Sequence, residues 1–340
     1  MIKAVWTGTE QLEIVDDRTG PPPVTRADEV RIRIIAAGVC GTDVHIWEGR
    51  LSYTTPPLVL GHEFAGVVEE CGPEVRNFSP GDRVKCDSVV GCGGCACCRR
   101  GATQFCASGF EFGISHDGAW TRWLVAPQRN LHRLPDTITD EVAAILDVEV
   151  MSAFRKPGLE AGETVAIFGA GPAGLIALQC ARVLGAGTVI LCGARPERLA
   201  LGRRLGADHV IDVHAADAVA AIKDLTKGRG ADLAFDAAGA SAAILNVLEA
   251  LRPQGRAILY GVPDRAVPEF PARDVVLKDL VLYGALSDRT GWEEMIGLVA
   301  GGRIDLASLI THRFPLERAA EALRHMRDRR DGAIKAVLAV

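Results

Sequence analysis

Fifteen residues of this chain carry five of its ten cysteines, in CGGCACCRRGATQFC from Cys92 to Cys106. Cys92, Cys95 and Cys98 are linked by two Cys-x2-Cys steps, and Cys106 follows after seven intervening residues. Four thiolates at such spacing close a tetrahedral zinc shell with bonds of about 2.3 Å and leave no open position, so this metal would fix a loop and do no chemistry. Cys97 falls out of step and reads as a spectator. The scattered Cys71, Cys86, Cys180 and Cys192 read as small core hydrophobes.

A second constellation has the composition of an open site. Cys40-Gly-Thr42-Asp43-Val-His45 precedes Gly61-His62-Glu63. Cys40 and His62 suit zinc, Asp43 suits the far nitrogen of an imidazole, and Thr42 with His45 suits the outward relay of a proton. A catalytic zinc needs a third protein ligand and one replaceable position. Asp147 and Glu149, in ILDVEVMSAF, and Glu63 are the carboxylates available for it.

The third signal is Gly169-Ala-Gly171-Pro172-Ala173-Gly174, after the apolar run TVAIF and before PAGLIALQCARV. Placed between a strand and a helix, these residues give a tight turn, close approach of backbone to a pyrophosphate and an anion-attracting helix N-terminus. About 20 residues on, NAD enzymes place an acidic residue against the adenosine ribose. Here Gly193 holds that place, followed by Ala194, Arg195 and Pro196, with Arg198 beyond. Loss of the carboxylate removes repulsion of a 2′-phosphate, and Arg195 with Arg198 supplies charge-assisted donors for one. NADP, or both coenzymes, is therefore expected.

The elements that must position these groups fall into two kinds. Residues 1–150 show short β-type runs such as VRIRIIAAG and FAGVVEEC broken by Gly, Pro and Asp, and predict a β-rich domain carrying the cysteine lobe at 86–110. Residues 151–285 alternate apolar strands (TVAIF, TVILC, HVIDV, DLAFDAAG, RAILYG, VLYGAL) with amphipathic helices, which specifies an α/β doubly wound parallel sheet. Residues 286–340 hold two helical stretches, WEEMIGLVAGG and LERAAEALRHMRD, then IKAVLAV, and are expected to return to the first domain.

With 340 residues the chain has room for two such cores. Hydrophobic residues at 48% and charged residues at 24% give an ordinary globular balance. A net charge of -5 without blocks of like charge argues against nucleic acid and membrane surfaces as partners. MIKAVWTGTE lacks the pattern of a secretion signal, and no run reaches the roughly 18 apolar residues of a membrane helix. Clustered thiols with metal spacing ask for a reducing compartment, so a cytoplasmic location is expected.

GVCGTDVHIW, GHEFAGVVEECG, GDRV, the cysteine lobe, DGAW, GAGPAG, RLGADHVID and THRFPLERAAEAL stand in an order and spacing that resembles the zinc-containing medium-chain alcohol dehydrogenase family, within it the threonine and sorbitol (polyol) dehydrogenase branch. The resemblance spans essentially the whole chain. It implies a chaperonin-10-like (GroES-like) catalytic domain, a Rossmann domain, and an active site in the cleft between them. By position it makes Cys40 and His62 catalytic zinc ligands, Thr42 the hydroxyl at the substrate oxygen, Asp43 the partner of the imidazole and His45 the outer relay. It places an acidic ligand at Asp147, followed by Val148 where the branch often has proline, so the order of preference is Asp147, Glu63, Glu149.

The implied enzyme carries one catalytic and one structural zinc per chain. It moves hydride between a secondary alcohol (polyol, cyclitol or amino-alcohol) and NADP or NAD, and the branch favours a homotetramer, or else a dimer. Thr42 would take the hydroxyl proton and pass it through the coenzyme ribose to His45. A primary-alcohol or formaldehyde-type dehydrogenase and a catalytically silent dinucleotide-binding relative are the rivals. The acid at 147 and the intact zinc ligands favour the first reading. Trp47, Glu48, Arg50, Tyr53, Phe112 and His116 are available to line a substrate cleft.

Overall fold

A computed structural model describes residues 1–263 and 266–340, which gather into two compact units. The first contains Met1–Asp147, Trp292–Gly301 and Leu306–Val340. Its central strand, Glu29–Val39, alternates by residue type: Val30, Ile32 and Ile34 are buried, and the arginines between them face the more open side. In its sheet the strands run Leu131–Arg133, Arg83–Cys86, Phe64–Cys71, Glu29–Val39, Lys335–Ala339 and Ile310–Pro315, with Trp123–Pro127 also paired to Glu29–Val39. The last strand of the chain therefore sits beside the central one. Val337 pairs with Gly38 and Ala336 with Val39, two residues from where the first functional cluster begins. The tail helices form at Trp292–Ala300 and Ala319–Asp328.

The second unit contains Val148–Gly291 and Gly302–Asp305. Six parallel strands lie in the order His209–Asp212, Thr188–Gly193, Thr164–Phe168, Ala231–Asp236, Leu251–Leu259, Val281–Gly284. All five residues of Thr164–Phe168 are buried, as a strand covered on both faces requires. The order reverses at this strand, so the crevice beyond its carboxyl end is the place where such sheets bind ligands. GAGPAG begins there. The predicted α/β class is the observed one: one unit carries the doubly wound parallel sheet and the other is the β-rich domain expected. Among the described residues no helix is long and apolar enough to cross a membrane.

Candidate functional site

The cysteine lobe is pinned at its base by the short antiparallel pair Val89–Val90 and Phe110–Glu111. Within it, Cys95 Sγ lies 3.5 Å from Cys98 Sγ and 3.8 Å from Cys106 Sγ, and Cys92 Sγ lies 3.9 Å from Cys98 Sγ. Sulfurs at the corners of a zinc tetrahedron stand about 3.8 Å apart, given bonds of about 2.3 Å, whereas a disulfide brings them to about 2.05 Å. The spacing is that of a metal shell, and all ten cysteines are free thiols. The N–H of Cys98 points at Cys95 Sγ at 3.4 Å and holds that thiol down to about 6, which favours the thiolate a metal needs. Cys97 stands outside the cluster.

Cys40, His62 and Glu63 form a second group whose ligand atoms lie within 4.8 Å of one another. Cys40 precedes the helix Gly41–Trp47, and its N–H donates to Asp43 Oδ2 at 2.8 Å. The other oxygen of the fully buried Asp43 lies 3.2 Å from Nδ1 of His62. Nε2 is thus the nitrogen left for a metal. Burial disfavours the imidazolium, but Asp43 and Cys40 together raise His62 well above its ordinary value. Thr42 Oγ1 lies 3.9 Å from Cys40 Sγ, and His45 follows three residues later, on the same side of the helix.

Glu63 is the member that decides the character of this group. Its Oε1 lies 2.6 Å from Lys335 Nζ, while its buried Oε2 has no hydrogen-bond partner. A Cβ on Gly38 would collide with that oxygen, so the glycine leaves the room it occupies. Burial pulls the Lys335 ammonium down, yet the charges of Glu63, Cys40 and Asp43 and the Glu63 hydrogen bond together hold it well above its usual range. Buried polar oxygens are rarely left unsatisfied. An orphaned carboxylate oxygen beside a thiol and an imidazole fits a divalent cation. Lys335 was not singled out from sequence, although one charge inside the otherwise apolar IKAVLAV was a signal for it.

Asp147 lies outside that cluster, in the short link between the helices Asp140–Ile145 and Glu149–Arg155. Glu149 belongs to the second unit, where it pairs with Arg289 at 2.7 Å and accepts from Tyr260 at 3.1 Å. Of the three carboxylates, Glu63 is the one whose oxygen lies beside Cys40 and His62. Trp47 and Phe112 belong to the core of the first unit, and His116 stacks on Phe110.

At the glycine turn, Gly169 has φ +114, in the region that favours glycine, and a Cβ on Gly174 would collide with the Gly169 carbonyl. Gly171 precedes the helix Pro172–Val183, with Pro172 in its first turn and Ala173 next. A Cβ on Gly171 would meet only Arg198 Nη1, at 4.0 Å, so this guanidinium stands over the turn. Gly193 ends its strand, Ala194 follows, and Arg195 precedes the helix Pro196–Arg204.

Comparison with known proteins agrees with this geometry. The alcohol dehydrogenase GroES-like domain matches residues 26–136 and the zinc-binding dehydrogenase domain matches residues 172–301. The chain belongs to the zinc-binding alcohol dehydrogenase family. This dehydrogenase is an NAD(P)-dependent oxidoreductase of the zinc-binding kind. It is 36% identical to an L-threonine 3-dehydrogenase of Anaeromyxobacter sp. (strain Fw109-5), over 92% of this chain and 93% of the relative. It is 32% identical to a sorbitol dehydrogenase of Bacillus subtilis (strain 168), over 95% and 92%. A zinc-binding dehydrogenase from Sinorhizobium meliloti 1021, solved bound to NADP, superposes with a TM-score of 0.92 at 28% identity, covering 100% of this chain and 99% of that one.

Proposed function

We propose that this dehydrogenase oxidises a polyol, cyclitol or amino-alcohol at a zinc held by Cys40, His62 and Glu63, and that Cys92, Cys95, Cys98 and Cys106 hold a second, structural zinc. The unpartnered Oε2 of Glu63 among the three gathered donors carries this reading. Similarity to a threonine and a sorbitol dehydrogenase supports the substrate class. When bound, zinc favours ionisation of the alcohol hydroxyl at neutral pH. The chain does the rest. Asp43 holds His62 in the tautomer that offers Nε2, Thr42 accepts the hydroxyl proton beside Cys40, and half-buried His45 hands it toward solvent. The turn Gly169–Gly174 holds the coenzyme pyrophosphate on a helix N-terminus. A homotetramer or dimer in the cytoplasm completes the proposal.

Elemental analysis of the purified protein is expected to give about two zinc ions per chain. Glu63→Gln should bring this to about one and cut turnover by about a thousandfold, as loss of the metal requires, whereas Asp147→Asn should keep both ions. The opposite pattern would assign the third ligand to Asp147. A panel of polyols, cyclitols, threonine and simple secondary alcohols, followed by reduced-nicotinamide absorbance, tests the substrate class. Strict preference for a primary alcohol would refute it.

Cys95→Ser should lower the melting temperature and the zinc content together, because ligand loss opens the closed lobe. A Cys95→Ser protein as stable as the parent but inactive would contradict the structural assignment.

A further inference from the structure

A third group of metal-type donors lies in the tail of the first unit and has no part in the chemistry above. His312 stands on the strand Ile310–Pro315, His325 in the last turn of the helix Ala319–Asp328, and Asp331 in the turn that leads to the strand Lys335–Ala339. One ligand atom from each lies within 4.8 Å of the other two. Two of the three are nitrogen donors on rigid elements. His312 Nδ1 lies 2.9 Å from Thr311 Oγ1, and a donor bond to that hydroxyl leaves Nε2 with its lone pair. The His325 and Asp331 atoms, Nε2 and Oδ2, are 3.8 Å apart, too far for a direct hydrogen bond and suited to a shared ion.

The surroundings hold the rings in place. The two imidazole centroids stand 5.5 Å apart, and Phe314 packs 5.3 Å from His325 and 6.3 Å from His312. Nδ1 of His325 is buried without a hydrogen-bond partner. Asp331 adopts φ 49, in the left-handed region, and is mostly exposed, so the third ligand closes the site from the solvent side.

We propose that His312, His325 and Asp331 form a third cation site, accessible from solvent, for a borderline divalent transition ion such as zinc, nickel or copper. Two imidazoles and one carboxylate favour these ions over magnesium or calcium, which prefer all-oxygen shells. The ion would staple strand, helix and turn across the segment that delivers Lys335 to Glu63. It binds more weakly than either cysteine-containing site, because Asp331 must be ordered from solvent and the group offers three donors among the described residues.

The test uses the untagged full-length protein with its tightly bound zinc in place. Calorimetric titration with zinc should show one further ion per chain, and the protein should be retained on immobilised nickel. His325→Ala should abolish the added uptake and the retention, and Asp331→Asn should weaken the uptake by about tenfold. Both variants should keep the parent's tightly bound zinc and its turnover. If packing on Phe314 makes His325→Ala fail to fold, Asp331→Asn, at an exposed position, decides alone. No uptake beyond the tightly bound ions, or uptake that is the same in parent and variants, would overturn the proposal.

Discussion

Cys40→Ala is expected to lower turnover by about a thousandfold or more while leaving coenzyme affinity within about twofold of the parent. A bound metal that polarises an alcohol oxygen supplies several kcal/mol, and each 1.4 kcal/mol is about tenfold in rate, so its loss is worth on the order of a thousandfold. The selectivity of the effect follows from the architecture. Cys40 belongs to the first unit, and the turn Gly169–Gly174 to the second. The substitution also spares the local frame, because the N–H that donates to Asp43 is backbone and remains in alanine. Zinc content should fall by about one ion per chain, and the melting temperature should move little. Steady-state kinetics with a fluorescence titration of reduced coenzyme separates the two effects. Parallel loss of turnover and coenzyme affinity would point to misfolding in place of lost metal chemistry.

What the sequence disclosed followed the range of the interaction concerned. The six strands and their doubly wound parallel sheet were legible because TVAIF, TVILC and their successors announce strands locally and alternate with helices, which right-handed crossovers make parallel. The cysteine lobe was legible because its four thiols lie within fifteen residues. The choice among Asp147, Glu63 and Glu149 was not. It depends on Gly38 leaving space for one oxygen, on Lys335 reaching Glu63 from 272 residues away, and on Arg289 and Tyr260 engaging Glu149. None of these contacts has a local pattern. Lys335 arrives only because the final strand pairs with Glu29–Val39, and that pairing is set by a register between distant apolar runs. The His312, His325 and Asp331 group was invisible for the same reason, its members being spread over a strand, a helix and a turn.

The coenzyme is expected to be NADP, and the double variant Arg195→Ala, Arg198→Ala should lose about a hundredfold in NADP affinity with little change for NAD. Hydrogen bonds from a guanidinium to a phosphate are worth about 1.5–3 kcal/mol each, so two arginines account for a loss of that size. The positions support the assignment. Arg195 immediately precedes a helix at the end of the second strand, and Arg198 reaches back to within 4.0 Å of a Cβ placed on Gly171. Gly193 has an additional cause of its own. A Cβ there would stand 2.7 Å from the Ala170 Cβ and 3.2 Å from Leu199 Cδ2, so the acidic residue common to NAD enzymes does not fit without movement of its neighbours. Crowding alone would explain the glycine without any part for the arginines in coenzyme choice. Titration of both coenzymes against parent and double variant separates the two accounts. An NAD-preferring parent, with a double variant equally weakened for both coenzymes, would leave crowding as the reason for Gly193 and make the arginines general attractors of the pyrophosphate.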